Sequence, residues 1–310
     1  MSNPLLARCL HVCLALVGLG TTANLPAAAA TPAAQRITIA FPRQYNRVET
    51  AVLYGDYIKS LQRCASVEVV NLRGIPIADR FDQLDLLPES ELVTLMRDGQ
   101  LQLAQFHTGL VPTAIDRGQG VAFAVRGDSA SGRHASYRLQ LLVRADSAYR
   151  AAGDLVGHKI AHASMGSNSG NLAPRAYFPA IGLQPDGNYQ VVYSGNHERS
   201  ILGTQYGFWQ GAAVASDQLE RLGRKGEVRL QDFRVLWASE PFPVEALVMS
   251  RRLPAELQQR VRQCTHAYRF LPKARALLDG ADSFVPIDAE QAFAGVRFVL
   301  QRAAAAAAAR

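Results

Sequence analysis

Beyond residue 30 this chain of 310 residues holds only two cysteines, Cys64 and Cys264, no run of three basic residues, and no apolar stretch of bilayer length. Each shortage excludes something. Scattered basic residues without interleaved aromatics argue against nucleic acid as a partner, although the formal charge is +7. Without a second long apolar run, nothing after the N-terminal segment is expected to span a membrane. No G-x-S-x-G elbow, HExxH or GxxxxGK[ST] loop occurs, and the serines have no assignable base and acid, so no catalytic residues are expected. His158 and His162 share one face of a strand, but no further ligand is suggested by spacing, so no metal and no cofactor is expected.

What is present begins with a leader. MSNPLLARCLHVCLALVGLG carries one basic residue, Arg8, before an apolar run from Cys9 to about Leu19, and TTANLPAAAA ends in small residues. That pattern is a secretory signal peptide over residues 1–30, with cleavage expected near Ala30 and a periplasmic, soluble product. About 280 residues then remain, with a globular share of glycine, proline and apolar residues, enough for two lobes. Cys64 and Cys264, 200 residues apart in an oxidising compartment, suggest either one disulfide or two buried thiols.

RITIAFP alternates as a strand, ETAVLYGDYIKSLQR spaces its apolar residues as a helix, and VEVVNL is strand-like again. The order repeats through ESELVTLMRDGQ and LQLAQFH, predicting an α/β lobe with a largely parallel sheet. A second set of strands and helices begins near Ser136. Crossings near 125–140 and 240–248 divide the chain into a first lobe, 36–135 plus 245–304, and a second, 136–244. The expected architecture is a ligand cleft between two hinged α/β lobes. Ligands in such sheets sit outside the carboxyl ends of the strands, where FPRQYN, AQFHTG, SMGSNSG and YSGNHERS all lie.

SMGSNSG, residues 164–170, joins an apolar strand to a helix. Its small residues let a ligand approach the backbone, and a helix start offers free N–H groups and a positive dipole end, which suits an anion. Ser and Asn are also ordinary caps. Pro174 is comfortable only in a first turn, so the helix is expected to begin after Gly170. Glu198, next to His197, is expected in a capping box rather than in the site.

The run from SMGSNSG through NLAPRAYF, SGNHERS and GAAVASD resembles the periplasmic phosphate, phosphite and phosphonate-binding proteins of ABC transporters, and FVPIDAEQAFAGVRFV is similar to their closing segment. The resemblance implies a type II periplasmic binding protein fold. It also implies oxyanion contacts at Ser167, Asn168, Ser169 and His197, with Tyr45, Phe106 and His107 from the first lobe. Phe106 and His107 replace the usual tyrosine-containing pair, exchanging a phenol for an imidazole. Gly211 stands where many members have an aspartate, which counts against amino-bearing phosphonates. The expected function is delivery of phosphonate, phosphite or phosphate to an ABC transporter permease by a monomer. The alternative is a sensor or accessory protein of the same fold that binds another oxyanion, such as arsenite, and signals to a kinase or redox enzyme.

Overall fold

The computed structural model describes residues 35–43 and 47–308. The signal peptide and Tyr45 lie outside them. From the N-terminal side the chain forms β1 (Gln35–Pro42), α1 (Arg47–Ala65), β2 (Val67–Val70), β3 (Leu86–Leu87), α2 (Glu89–Arg97), β4 (Leu103–Phe106), α3 (Val111–Asp116) and β5 (Gly120–Gly127). There follow β6 (Ser136–Tyr137), β7 (Leu139–Arg144), β8 (Lys159–His162), α4 (Ala173–Tyr177), β9 (Gln190–Tyr193), α5 (His197–Gln205), β10 (Gly211–Ala215), α6 (Ser216–Arg224) and β11 (Phe233–Ala238). The return path is β12 (Phe242–Pro243), β13 (Ala246–Ser250), α7 (Ala255–Ala267), α8 (Pro272–Leu277), β14 (Ser283–Pro286), α9 (Ala289–Ala292) and α10 (Ala294–Ala308).

Two sheets result. The first has the order β14-β5-β13-β4-β1-β2, with β3 beside β1, and the second the order β11-β7-β10-β8-β9. The chain leaves the first sheet after β5 and returns to it at β13. Its two crossings pair with each other as the antiparallel ribbon β6 and β12. The first sheet is less parallel than the strand–helix–strand pattern predicts. β1 pairs in parallel with β2, β3 and β4, whereas β13 is antiparallel to both β4 and β5, and β14 is antiparallel to β5. The reversal follows from the return crossing, which brings the chain back into the sheet between β4 and β5 from the opposite end.

Alternation explains why β1 is buried on both faces. Ile37, Ile39 and Phe41 point into a core with Leu53, Tyr57, Ile58 and Leu61 of α1 and Leu257 and Val261 of α7. Ala40 points the other way, into a core that continues through Phe106, Tyr137 and Phe242 to Leu141, Phe178 and Val296. That second core joins the two sheets through the crossing strands. A third core packs α5 and α6 on the second sheet through Ile201, Leu219 and Leu222. The last helix lies against α4, with the Phe298 and Tyr177 rings 5.5 Å apart, and reaches α3 through Arg297 and Asp116 at 2.6 Å.

Cys64 near the end of α1 and Cys264 on α7 form a disulfide, with Cα atoms 5.7 Å apart. Beside it the buried Tyr57 hydroxyl bonds Thr265 Oγ1 at 2.9 Å, so the N-terminal and C-terminal arms of the first sheet's helical layer are joined twice. The bridge closes a loop of 200 residues, which restricts the unfolded chain more than the folded one. Replacing both cysteines with alanine should lower the unfolding free energy by about 2–5 kcal/mol. Urea titration followed by circular dichroism measures it, and a midpoint that does not move, with or without reductant, refutes the bridge.

Candidate functional site

The turn after β8 is built by hydrogen bonds of the kind its small residues permit. Helical winding starts at Asn168, earlier than Pro174 suggests, as a wide turn over Asn168–Leu172 that runs directly into α4. Leu172 N donates to Ser167 O at 2.9 Å across this wide turn, and Pro174, which has no N–H, stands in the first turn of α4. Ser167 is the cap, its Oγ accepting from Gly170 N at 3.0 Å. Gly170 has no room for a side chain. A Cβ there would sit 2.4 Å from Ala163 Cβ, 2.7 Å from Ser167 Oγ and 3.0 Å from His197 Cε1.

Behind the turn stands a buried strut. His162 is fully buried, with Nδ1 2.9 Å from Asn171 Oδ1 and Nε2 3.0 Å from the Tyr189 hydroxyl. Asn171 also donates to Met165 O at 2.7 Å, so His162 and Asn171 hold both ends of the turn. Asn171 Oδ1 also accepts from Arg175 Nε at 3.0 Å. Burial pushes the His162 pKa down to about 4, and the ring is neutral at physiological pH. It is a core histidine and faces away from the cleft.

His197 opens α5, whose cap is Asn196, its Oδ1 accepting from Arg199 N at 2.8 Å. Glu198 therefore has no capping-box role and instead lines the cleft, contrary to expectation. The imidazole of His197 lies over the serine turn, with Nε2 3.3 Å from Ser167 Oγ and 3.2 Å from Ser169 Oγ. Its Nδ1 accepts from Ala215 N at 3.4 Å, which leaves the proton on Nε2. Burial, aided by the Arg221 charge, pushes its pKa down to about 4. A neutral ring thus donates to the serine oxygens, and each hydroxyl proton is free to turn toward a ligand.

These groups border one cleft of about 740 Å³ between the two sheets. The second sheet contributes Ser167, Asn168, Ser169 and His197, so that four predicted contacts come together. Asn168 donates to the Tyr137 hydroxyl at 3.0 Å, while its buried Oδ1 has no partner among the described residues. From the first sheet only His107 of the predicted pair arrives. Phe106 is fully buried in the core, because adjacent residues of an extended strand face opposite sides and only one can reach the cleft.

The remaining wall is charged. Glu49, Glu89, Glu198, Asp217 and Glu245 line it together with Arg126 and Arg221. Arg126 Nε lies 3.1 Å from Glu245 Oε1, a largely buried ion pair. Burial raises the pKa of Asp217, against the opposing bond from Gln218 and the charge of Arg126, and its Oδ1 has no partner among the described residues. Sequence reasoning missed Asp217, Glu245, Arg126 and Glu89. Gly211 proves uninformative about the ligand: it begins β10, with its missing Cβ facing Leu155 and Leu142, while the cleft end of that strand is Ala215. The acidic residue near that end is Asp217.

Comparison with known proteins identifies the family and relatives of the chain. A family model described as "ABC transporter, phosphonate, periplasmic substrate-binding protein" matches residues 88–292, about two thirds of the chain. The Phosphonates-binding periplasmic protein of Escherichia coli K12 is 23% identical over 190 residues. That alignment covers 59% of this chain and 55% of the relative, so the chain spans about half the length of the curated protein it matches. Among solved structures, a binding protein component of an ABC phosphonate transporter from Pseudomonas aeruginosa superposes with a TM-score of 0.64 at 18% identity, covering 87% of each chain. PhnD1 from Prochlorococcus marinus, in complex with methylphosphonate, gives 0.64 at 14% identity over 86% of this chain and 98% of that one. These structures share the two-lobed solute-binding fold. The chain belongs to the family of periplasmic substrate-binding proteins of phosphonate ABC transporters.

Proposed function

We propose that this protein binds a small phosphonate, or the related phosphite or phosphate, in the cleft between its sheets and delivers it to an ABC transporter permease. The observation that carries the proposal is the convergence of Ser167 Oγ, Ser169 Oγ and His197 Nε2 at the start of two helices. A compact oxyanion there receives hydroxyl donors, backbone N–H groups and the positive ends of helix dipoles. No buried cation is needed on that side. The relative from Prochlorococcus marinus, solved with methylphosphonate, supports the ligand class.

The functional lobes are taken as 36–135 plus 245–304 and 136–244, in keeping with the sheets that these segments supply. Closure about the β6 and β12 crossings would press Thr108 and Gly109 toward the serine turn. A Cβ on Gly109 would already lie 3.3 Å from Asn168 Cβ. Export, signal-peptide removal and a monomeric state complete the proposal.

Turnover is not part of it. A serine nucleophile needs a lone pair on the neighbouring imidazole nitrogen, and the bond from Ala215 N to His197 Nδ1 puts a proton there instead. The Ser–His contact is a donor relay to a bound anion.

Ser169→Ala should weaken methylphosphonate binding roughly 10- to 100-fold by isothermal calorimetry, the loss of one charge-assisted hydrogen bond. Unchanged affinity would remove Ser169 from the site. Gly170→Ala should do at least as much, because the added methyl group displaces Ser167, Ala163 or His197. In a thermal-shift series against methylphosphonate, phosphite, phosphate and sulfate, a ligand at one hundred times its Kd should add about 2.7 kcal/mol of stability. No shift with any phosphorus oxyanion contradicts the ligand class.

A further inference from the structure

Among the described residues, His107 is the one predicted first-sheet contact that reaches the cleft, and it is held there by a residue outside the serine and histidine motifs. Glu89 is the first residue of α2, and its side chain is only 14% exposed. Its carboxylate grips His107 twice. Oε1 accepts from His107 N at 2.6 Å, and Oε2 lies 2.6 Å from His107 Nδ1. The ring is thereby fixed with its proton on Nδ1 directed at Glu89, while Nε2 has no protein partner among the described residues. The side chain is 42% exposed, and it lines the cleft that the serine turn faces from the other sheet.

A neutral imidazole in this arrangement would present a bare Nε2 lone pair to an anion, which repels it. A doubly protonated ring would present an N–H donor with a positive charge. The surroundings decide between them. Glu89 faces His107 from α2 and Glu245 from the segment before β13; Arg126 of β5 is engaged with Glu245, and Glu49 of α1 lies on the same cleft wall. Burial opposes the charge, but the hydrogen bond and charge of Glu89, together with the charge of Glu245, outweigh it and raise the His107 pKa.

We propose that Glu89 is a positioning residue that keeps His107 doubly protonated, making its Nε2–H the first lobe's cationic donor to the bound oxyanion. The site is then asymmetric. The second lobe supplies neutral donors through Ser167, Ser169 and His197, and the first supplies one charge-assisted donor that engages on closure. Affinity acquires a pH limit. The imidazolium exists below its pKa, so the raised value carries tight binding upward past the ordinary histidine range near pH 6.5, and binding weakens as pH rises beyond it.

The test has two parts, because the inference rests on the phosphonate reading for its ligand but not for its chemistry. First, the histidine ring signals of the ligand-free protein are titrated by NMR, with His107→Gln identifying the resonance. That signal should titrate above pH 6.5 and move to lower pH in Glu89→Gln, which retains an acceptor for His107 N and nearly the same size. Titration at or below 6.5 in the parent, or no change in the variant, overturns the proposal. Second, methylphosphonate affinity is measured for parent and Glu89→Gln from pH 5.5 to 8. The ligand's own ionisation is common to both proteins and cancels in the ratio. Glu89→Gln should bind about ten-fold more weakly at a pH between the two midpoints that the NMR titrations give, and within about two-fold of the parent at a pH below both, where both rings are charged. A ratio that is constant with pH makes Glu89 merely structural and sinks the proposal. If methylphosphonate fails to bind the parent at all, the ligand assignment fails, and the NMR titration alone decides whether Glu89 charges His107.

Discussion

The antiparallel pairing of Ser136–Tyr137 with Phe242–Pro243 is the constraint on which the rest of the arrangement depends. It ties the outward crossing of the chain to the return crossing, so the two sheets meet at one ribbon and their strand-end loops open toward each other. The same ribbon reaches into the site. Tyr137 accepts from Asn168 of the serine turn, and Pro243 O accepts from Thr108 Oγ1 beside His107 at 2.7 Å. Tyr137 and Phe242 also lie in the core that joins the sheets. A change in the angle between the sheets is therefore felt directly at both walls of the cleft.

Within that frame the two walls solve the same electrostatic problem differently. The serine turn on the second sheet avoids charge: His197 is buried and neutral, and the serine hydroxyls, Asn168 amide and helix starts offer partial positive charge whose desolvation costs little, although Glu198, Asp217 and Arg221 also line the cleft from α5 and α6. The opposite wall holds full charges but pairs them, Glu89 with His107 and Glu245 with Arg126. Paired charges tolerate burial, and they can be rebalanced when an anion arrives. Stability and binding thus draw on separate residues, since the His162 and Asn171 strut keeps the turn in shape without touching the cleft.

Much of this was legible in the sequence because it is local. SNSG before a helix former, His197 after a strand, and the lone pair of cysteines are each visible within a few residues or by counting. What is not legible locally depends on side-chain direction or on distant partners. Phe106 and His107 are neighbours in sequence, yet strand alternation permits only one of them to face the cleft. Glu198 stands beside a cap that Asn196 makes. Glu89 lies 18 residues from His107, and Asp217 and Glu245 carry no motif, so nothing local marked them. Their role exists only after β4, α2, α6 and β13 converge. The mixed strand directions of the first sheet were hidden for the same reason, being set by a return crossing more than a hundred residues after β5.

The charge inventory of the cleft also bounds what can occupy it. A volume of about 740 Å³ is large for a bare tetrahedral oxyanion, yet five carboxylates and two arginines line it. A ligand carrying several separated negative groups would place at least one of them against Glu198, Asp217 or Glu49, with Arg221 the one lining arginine left to offset it, because Arg126 is engaged by Glu245. A single oxyanion head meets no such conflict. It can sit between the neutral donors and His107, while water or an uncharged substituent fills the remaining space. The cleft is thus shaped for negative charge concentrated at one end, and that end is defined by Gly170, whose missing side chain allows Ser167 and His197 to approach each other.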